Sequence, residues 1–412
     1  MWRLAWRNLW RSRTRTLITG SAIALSLALQ LISYGAADAM YRQMVSSAAR
    51  TAGGHVLVHA KGYWERQTSD LVIPDAQPLL ETIRQVPGVR VALPRVIVNG
   101  LISSSRDNAG VRLTGVDPEQ ERAVQDLSRY VTEGTFLGPE DPRPLVLGKR
   151  AAKDLGLKLG DRVVLTATDA DGEMVRALFH LTGVLDTGSN ALDSAAAWTT
   201  LDAARAAIGL DSGLTQIGVI ADSDSARGAV RDRIREALGP RASDLELLTW
   251  DEAMPELVGF IEIDSSMNEL FGFVIFLIVV FGIANTFLMA VMERIRELGL
   301  LAAIGLDPLR IAGLVLRETL LLALLAITVG LGLGYAGHSY LSIVGIDLAA
   351  FSQTDLEVSG VILEDMVIRS HLDPARWAIA CVVVFALVLL SALYPAWRAT
   401  RVDPVVAMRT YA

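Results

Sequence analysis

Apolar and charged positions fall into blocks along this chain instead of mixing evenly. A helix needs about 20 apolar residues to cross a hydrocarbon layer roughly 30 Å thick. Four blocks supply them, at 16–38, 268–292, 310–341 and 377–397, the third with its apolar core from Thr319 onward. Between the first two lies a long segment of a different kind, with short alternating runs and turn residues. A connection of that length has to fold.

Within that segment the pattern predicts a strand at 55–59, a helix at 78–86, strands at 89–103 and 111–115, and strands at 162–168 and 175–184 around an Asp171-Gly172 hairpin turn. A helix follows at 201–208, a strand at 215–221, and a helix at 225–238 capped by Asp222 or Ser223 and stopped at Gly239-Pro240. The fold class is thus a membrane protein of four transmembrane α-helices with a large α+β extracytoplasmic domain between spans one and two. The simplest division of that domain is a membrane-proximal subdomain of 39–115 and 213–265, into which a second subdomain, 116–212, is inserted.

Charge decides the orientation, because Lys and Arg flanking spans stay in the cytoplasm. Arg3, Arg7, Arg11, Arg13 and Arg15 precede span one; Arg294, Arg296 and Arg310 lie between spans two and three; Arg398, Arg401 and Arg409 follow span four. The opposite flanks are acidic, with Glu262, Asp264 and Glu269 before span two and Asp347, Asp355, Glu357, Glu364 and Asp365 in the 342–376 loop. Both termini, including the 398–412 tail, are expected in the cytoplasm and the large domain outside. The first block is too long, and lacks a clean small-x-small site, for a cleaved leader.

Composition adds exclusions. The chain is 52% hydrophobic and 20% charged, too apolar for an ordinary soluble protein and too charged to be membrane throughout. A net charge of -7 leaves no basic surplus for phosphates, so nucleic acid is not an expected partner. The single cysteine, Cys381, can form neither an intrachain disulfide nor a thiolate metal cage.

Two amphipathic stretches flank the spans. In residues 1–15, Leu4, Trp6, Leu9 and Trp10 interleave with arginines, as an interfacial helix requires. In 293–309, Glu293, Arg294, Arg296 and Glu297 crowd the end of span two. Leu298, Leu300, Leu301 and Ile304, with Gly299 among them, then form an apolar face that ends at Gly305 and Pro308. Such a helix needs a partner groove or a lipid surface.

Other motifs are weaker. Gly332, Gly334 and Gly337 match a dinucleotide fingerprint as a string but lie inside an apolar span; Gly330 and Gly334 read instead as a GxxxG helix-packing pair. Asn285, an amide within a span, is expected to contact another helix, and Arg317 and Glu318 to snorkel or to pair across a dimer. No phosphate-loop sequence occurs, and Leu147-Gly148-Lys149-Arg150 lacks the required hydroxyl, so ATP is expected on another chain. His55 and His59 are a weak metal pair, and Asp186, Asp193 and Ser194 near His180 lack any framing motif for hydrolysis. No metal and no catalytic residue is assigned.

The run from Phe281 to Gly305, FGIANTFLMAVMERIRELGLLAAIG, resembles the hallmark of the FtsX/MacB/Lol-type ABC transporter permeases. Three further stretches agree: WRNLWRSRTRT from Trp6, TGVDP from Thr114 and LYPAWRATRVDPVVAMR from Leu393. The resemblance implies a bacterial inner-membrane subunit that dimerises with a second copy or paralogue. It also implies two ABC ATPase subunits that bind ATP and Mg and dock on 293–309 as a coupling helix. It lies nearest the Lol-type subunits, which release lipoproteins to a periplasmic carrier. MacB-like tripartite efflux and FtsX-like activation of a cell-wall hydrolase stand as alternatives, as does a membrane-anchored sensor or enzyme acting alone. For acyl chains, the ends of spans one and two offer Ser33, Tyr34, Met40, Met267 and Phe271 as a candidate cleft.

Overall fold

The computed structural model describes residues 2–138, 140–347 and 367–401, and the backbone of 357–358 and 361–362. The tail beyond Arg401 and the acidic positions Asp355, Glu364 and Asp365 lie outside the described residues.

The chain opens with α1 (Trp2–Arg11) and the long α2 (Arg13–Ala52), then β1 (Val56–Ala60), α3 (Tyr63–Arg66) and α4 (Ala76–Arg84). Next come β2 (Val89–Ser103), β3 (Asn108–Val116), α5 (Pro118–Val124), β4 (Val131–Gly134), β5 (Pro144–Gly148) and α6 (Lys149–Asp154). They are followed by β6 (Arg162–Thr168), β7 (Met174–Leu185), α7 (Asn190–Ala195), β8 (Ala196–Thr200), α8 (Leu201–Ala207) and β9 (Gln216–Ala221). The domain ends with α9 (Arg227–Leu238), β10 (Leu245–Thr249) and α10 (Trp250–Ala253). Four helices close the chain, α11 (Pro255–Glu293), α12 (Ile295–Ala303), α13 (Pro308–Ile343) and α14 (Pro374–Thr400).

Two compact units divide the described elements, one within 2–41, 262–347 and 367–401, the other within 42–261. In the first, α2, α11, α13 and α14 are each long and apolar enough to cross a membrane. They meet around Ile23, Leu27 and Leu31 of α2, Phe276 and Ile283 of α11, Ala323 and Ala326 of α13, and Val384 and Val388 of α14. Three- and four-residue spacings place each set on one helix face. α2 and α11 run to 40 and 39 residues, far beyond the apolar stretch, because no proline lies inside their polar continuations and the one glycine there, Gly259, costs only about 1 kcal/mol.

The second unit is built on one sheet, in the order β10-β1-β9-β2-β3-β8-β5-β7-β4, with β6 pairing both β2 and β7. The 15-residue β2 joins it together: residues from Val89 to Arg95 pair with β9, and Gly100–Ser103 pair with β6 while also pairing with β3 on the other edge. Residue pair 115/116 lies inside β3 and 212/213 in the connection between α8 and β9, and one core takes residues from both stretches. It includes Ile83 of α4, Val98 of β2, Leu147 of β5, Val163 of β6, Ala204 of α8 and Ile234 of α9. The expected cap of the 225–238 helix is replaced by a 3₁₀ turn at Asp224–Ala226, and no side chain caps α9.

Candidate functional site

The segment predicted to couple, 293–309, is not one helix. α11 stops at Glu293 and Arg294 leaves helical geometry at φ −105°, ψ 13°; α12 then runs nine residues, from Ile295 to Ala303. Gly305, at φ +89°, ends it in the left-handed conformation glycine tolerates. Pro308, in the first turn of α13, starts the next helix.

The break is held by charge. Arg294 Nη1 donates to both oxygens of Glu318 at 3.2 Å, and Asn8 Nδ2 donates to Glu318 Oε1 at 2.7 Å. The side chains of Arg294 and Glu318 are only 16% and 13% exposed. Glu297 accepts from Arg11 at 2.8 Å and from Arg294 at 3.3 Å, which holds its carboxyl below the usual carboxylate range. Arg15 reaches Glu293 at 2.8 Å. Arg317 does not snorkel freely; its guanidinium lies 5.7 Å from the Trp2 ring.

The faces of α12 differ from the expected apolar face. Leu298 and Gly299 are buried in the chain's own core beside Val291, Ile311 and Val315, and Leu301 is half-buried there. Leu298 and Leu301 point inward and Leu300 outward because helical residues three apart share a face whereas adjacent ones do not. Arg296, Leu300 and Ile304 stand outward four residues apart, and Ile304 is 76% exposed. Leu309, in the first turn of α13, is also exposed.

At the opposite end of the bundle, Arg376 in the first turn of α14 gathers three partners. It donates to Asp38 of α2 and, at 3.3 Å, to Glu269 of α11, and its guanidinium lies 4.5 Å from the Tyr34 ring. Ser33 Oγ donates to Asn268 at 3.4 Å. Tyr34 is thus covered by a cation, Met40 is half-buried, and only Met267 and Phe271 present exposed apolar surface. Arg376 was not expected; the signal for it was an arginine two residues after the proline of the Asp373-Pro374 helix start.

Gly330 and Gly334 lie against α2. A Cβ on Gly330 would sit 2.9 Å from the Ala24 carbonyl oxygen, and one on Gly334 would sit 3.0 Å from Leu31 Cδ1. Asn285 is exposed on α11 in the single chain.

In the α+β unit the weaker candidates disperse. His59 is buried, donates from Nδ1 to the Thr215 carbonyl at 2.9 Å and stacks on Tyr63 with ring centroids 4.6 Å apart, and burial lowers its pKa to about 4. His55 accepts from the Ala221 amide. His180 pairs with Asp141 at 3.0 Å, Asp186 with Lys149 at 2.6 Å, Asp193 accepts from the amide and hydroxyl of Thr187, and Ser194 donates to the Ala191 carbonyl. These groups do not form a hydrolytic set. A buried ion pair between Arg95 and Glu121 was not foreseen, since the two sit on different elements 26 residues apart.

A four-helix membrane bundle with a large α+β domain of periplasmic type defines the class of protein. The chain matches the MacB-like periplasmic core domain over residues 16–237 and the FtsX-like permease C-terminal family over 269–404. It therefore belongs to the FtsX/MacB-type ABC transporter permeases. It is 23% identical over 353 residues to the lipoprotein-releasing system transmembrane protein LolC of Neisseria meningitidis serogroup B, covering 81% of each chain. It is 22% identical over 400 residues to LolE of Haemophilus influenzae, covering 93% of this chain and 91% of that one. The periplasmic region of MacB from Actinobacillus actinomycetemcomitans aligns at 16% identity with a TM-score of 0.34, over 48% of this chain and 90% of that one.

Proposed function

We propose that this chain is the non-catalytic subunit that turns ATP hydrolysis on two separate ABC ATPase subunits into movement of its α+β domain, releasing lipoproteins from the inner membrane to a periplasmic carrier. ATP and Mg belong to the ATPase subunits. A second permease copy or paralogue completes the assembly, with the termini of each chain in the cytoplasm and the α+β domain in the periplasm. The observation that carries this reading is the outward row of Arg296, Leu300 and Ile304 on a short helix whose other face is buried and whose start is tied down by Glu318. An ATPase groove covering that row would bury about 1.5–3 kcal/mol of apolar surface per large side chain. Because Leu298 packs with Val291 of α11 and Ile311 of α13, a push on α12 is passed to both helices. The printed names of LolC and LolE, matched over most of their length, support the cargo.

Reconstitution with the ATPase partner, a fluorescent lipoprotein and its soluble carrier tests the reading. ATP-dependent transfer of the lipoprotein to the carrier is expected. Transfer that proceeds equally with a hydrolysis-dead ATPase, or a complex that expels only small molecules, would sink it.

A further inference from the structure

A cavity of about 130 Å³ lies within the α+β unit, walled by the last turns of α2, by β2 and β3, and by α5. Among the described residues of its lining, Arg95 and Arg112 face one carboxylate, Glu121. Strand alternation explains the arrangement, because Arg95 and Ile97 of β2 and Arg112 and Thr114 of β3 project to the same sheet face.

Glu121 accounts for part of this charge. It accepts from Arg95 Nη2 at 2.5 Å, and both side chains are almost fully buried, 9% and 4% exposed. Arg95 Nε nevertheless has no partner, nor does the Ser47 hydroxyl, which is 2% exposed and lines the same space. Gly53, at φ +104°, lets Arg95 lie where it does, since a Cβ there would come within 2.6 Å of its guanidinium. Buried donors without acceptors and like charges side by side are costly unless an anion joins them.

We propose that this cavity binds a phosphate-type oxyanion, taken either as free phosphate or as the phosphodiester of an anionic lipid headgroup. Guanidinium forks match such oxygens in pairs. The Arg95 Nε and Ser47 hydroxyl would donate directly, and Arg112, at the more exposed wall, would supply the second charge. The residues of this site belong to a different compact unit from 293–309, and the assignment does not depend on the cargo.

Trp198 also lines the cavity and can report occupancy. The full chain in phosphatidylcholine nanodiscs is titrated with inorganic phosphate at constant ionic strength. Tryptophan emission is followed against a Trp198→Phe control, and bound phosphate is counted by equilibrium dialysis. A parallel arm without phosphate uses nanodiscs containing phosphatidylglycerol and counts co-purifying lipid by mass spectrometry.

Saturable binding of one equivalent in either arm is expected. It should weaken about tenfold or more in Arg112→Gln and persist in Arg235→Gln, a change at an exposed residue outside the cavity. Phosphate binding assigns a free ligand, and lipid retention alone assigns the headgroup. No saturable binding in either arm, or equal binding by Arg112→Gln, overturns the proposal. Arg112→Gln is the informative variant because Arg95→Gln would also strand buried Glu121.

Discussion

Arg294 and Glu318, 24 residues apart in sequence, meet through two hydrogen bonds of 3.2 Å where α11 gives way to α12. The pair converts a helix break into a fixed joint, because Glu318 also holds Asn8 of α1.

Removing the carboxylate should loosen that joint. Glu318→Ala strands a mostly buried guanidinium and is expected to cost about 1.5–3 kcal/mol, read as a lower melting temperature of the purified chain. Glu318→Gln, which keeps an acceptor for Asn8, should cost less. Equal melting of all three chains would show that the joint is not structural.

The two faces of α12 should separate stability from assembly. Leu298→Asp places a charge in the core and should lower the melting temperature, whereas Leu300→Asp and Ile304→Asp should leave it unchanged. The latter two should weaken co-purification with the ATPase by about ten- to a hundredfold, from the apolar burial lost at each. Unaltered co-purification would remove α12 from the interface.

The glycines of α13 offer a matched comparison. Gly330→Val drives a side chain into Ala24 and Leu27 of α2 and should destabilise the bundle by about 1–3 kcal/mol. Gly332→Val meets nothing within 4 Å and should be close to neutral. Equal effects, measured by unfolding in detergent, would show that these contacts do not set the helix spacing.

Acid should weaken the α+β unit through His59. Its folded pKa of about 4 lies below the ordinary 6.5, so between these values the unfolded chain binds more protons. Stability is therefore full above pH 6.5 and falls as pH drops toward 4, by roughly 2 kcal/mol between about pH 7 and pH 5. His59→Phe, which retains a ring against Tyr63, should flatten that part of the pH profile of thermal unfolding. An unchanged profile would remove His59 as its source.

Much of the fold was legible because its signals are local. Span length and period-two alternation need only neighbouring residues, which is why 89–103 and 162–168 were read with the bounds of β2 and β6. Short elements such as β4, β5 and β8 passed unnoticed. Four or five residues carry too little pattern, and β8 takes its place from parallel pairing with β3, some 84 residues away. The single large sheet of the α+β unit arises in the same way, from β2 being long enough to hold different partners along its length.

The amphipathic 293–309 segment was legible in the sequence, but which of its residues face outward was not. A run as rich in leucine as Leu298–Leu301 looks apolar all round, and packing against α13 decides that Leu298 turns in while Leu300 and Ile304 stay out. Asn285 likewise reads as a packing residue from its place in a span, and only the placement of α11 in the bundle leaves it facing outward.

The sequence by itself determined that this is a four-span membrane protein with a large folded insertion, because hydropathy and element periodicity are properties of consecutive residues. The family, too, was written in contiguous motifs. Tertiary structure alone decided which charges meet: Arg294 with Glu318, Arg376 with Asp38 and Arg95 with Glu121. Each pair joins separate elements, and no spacing rule connects side chains whose proximity depends on how whole helices and strands pack.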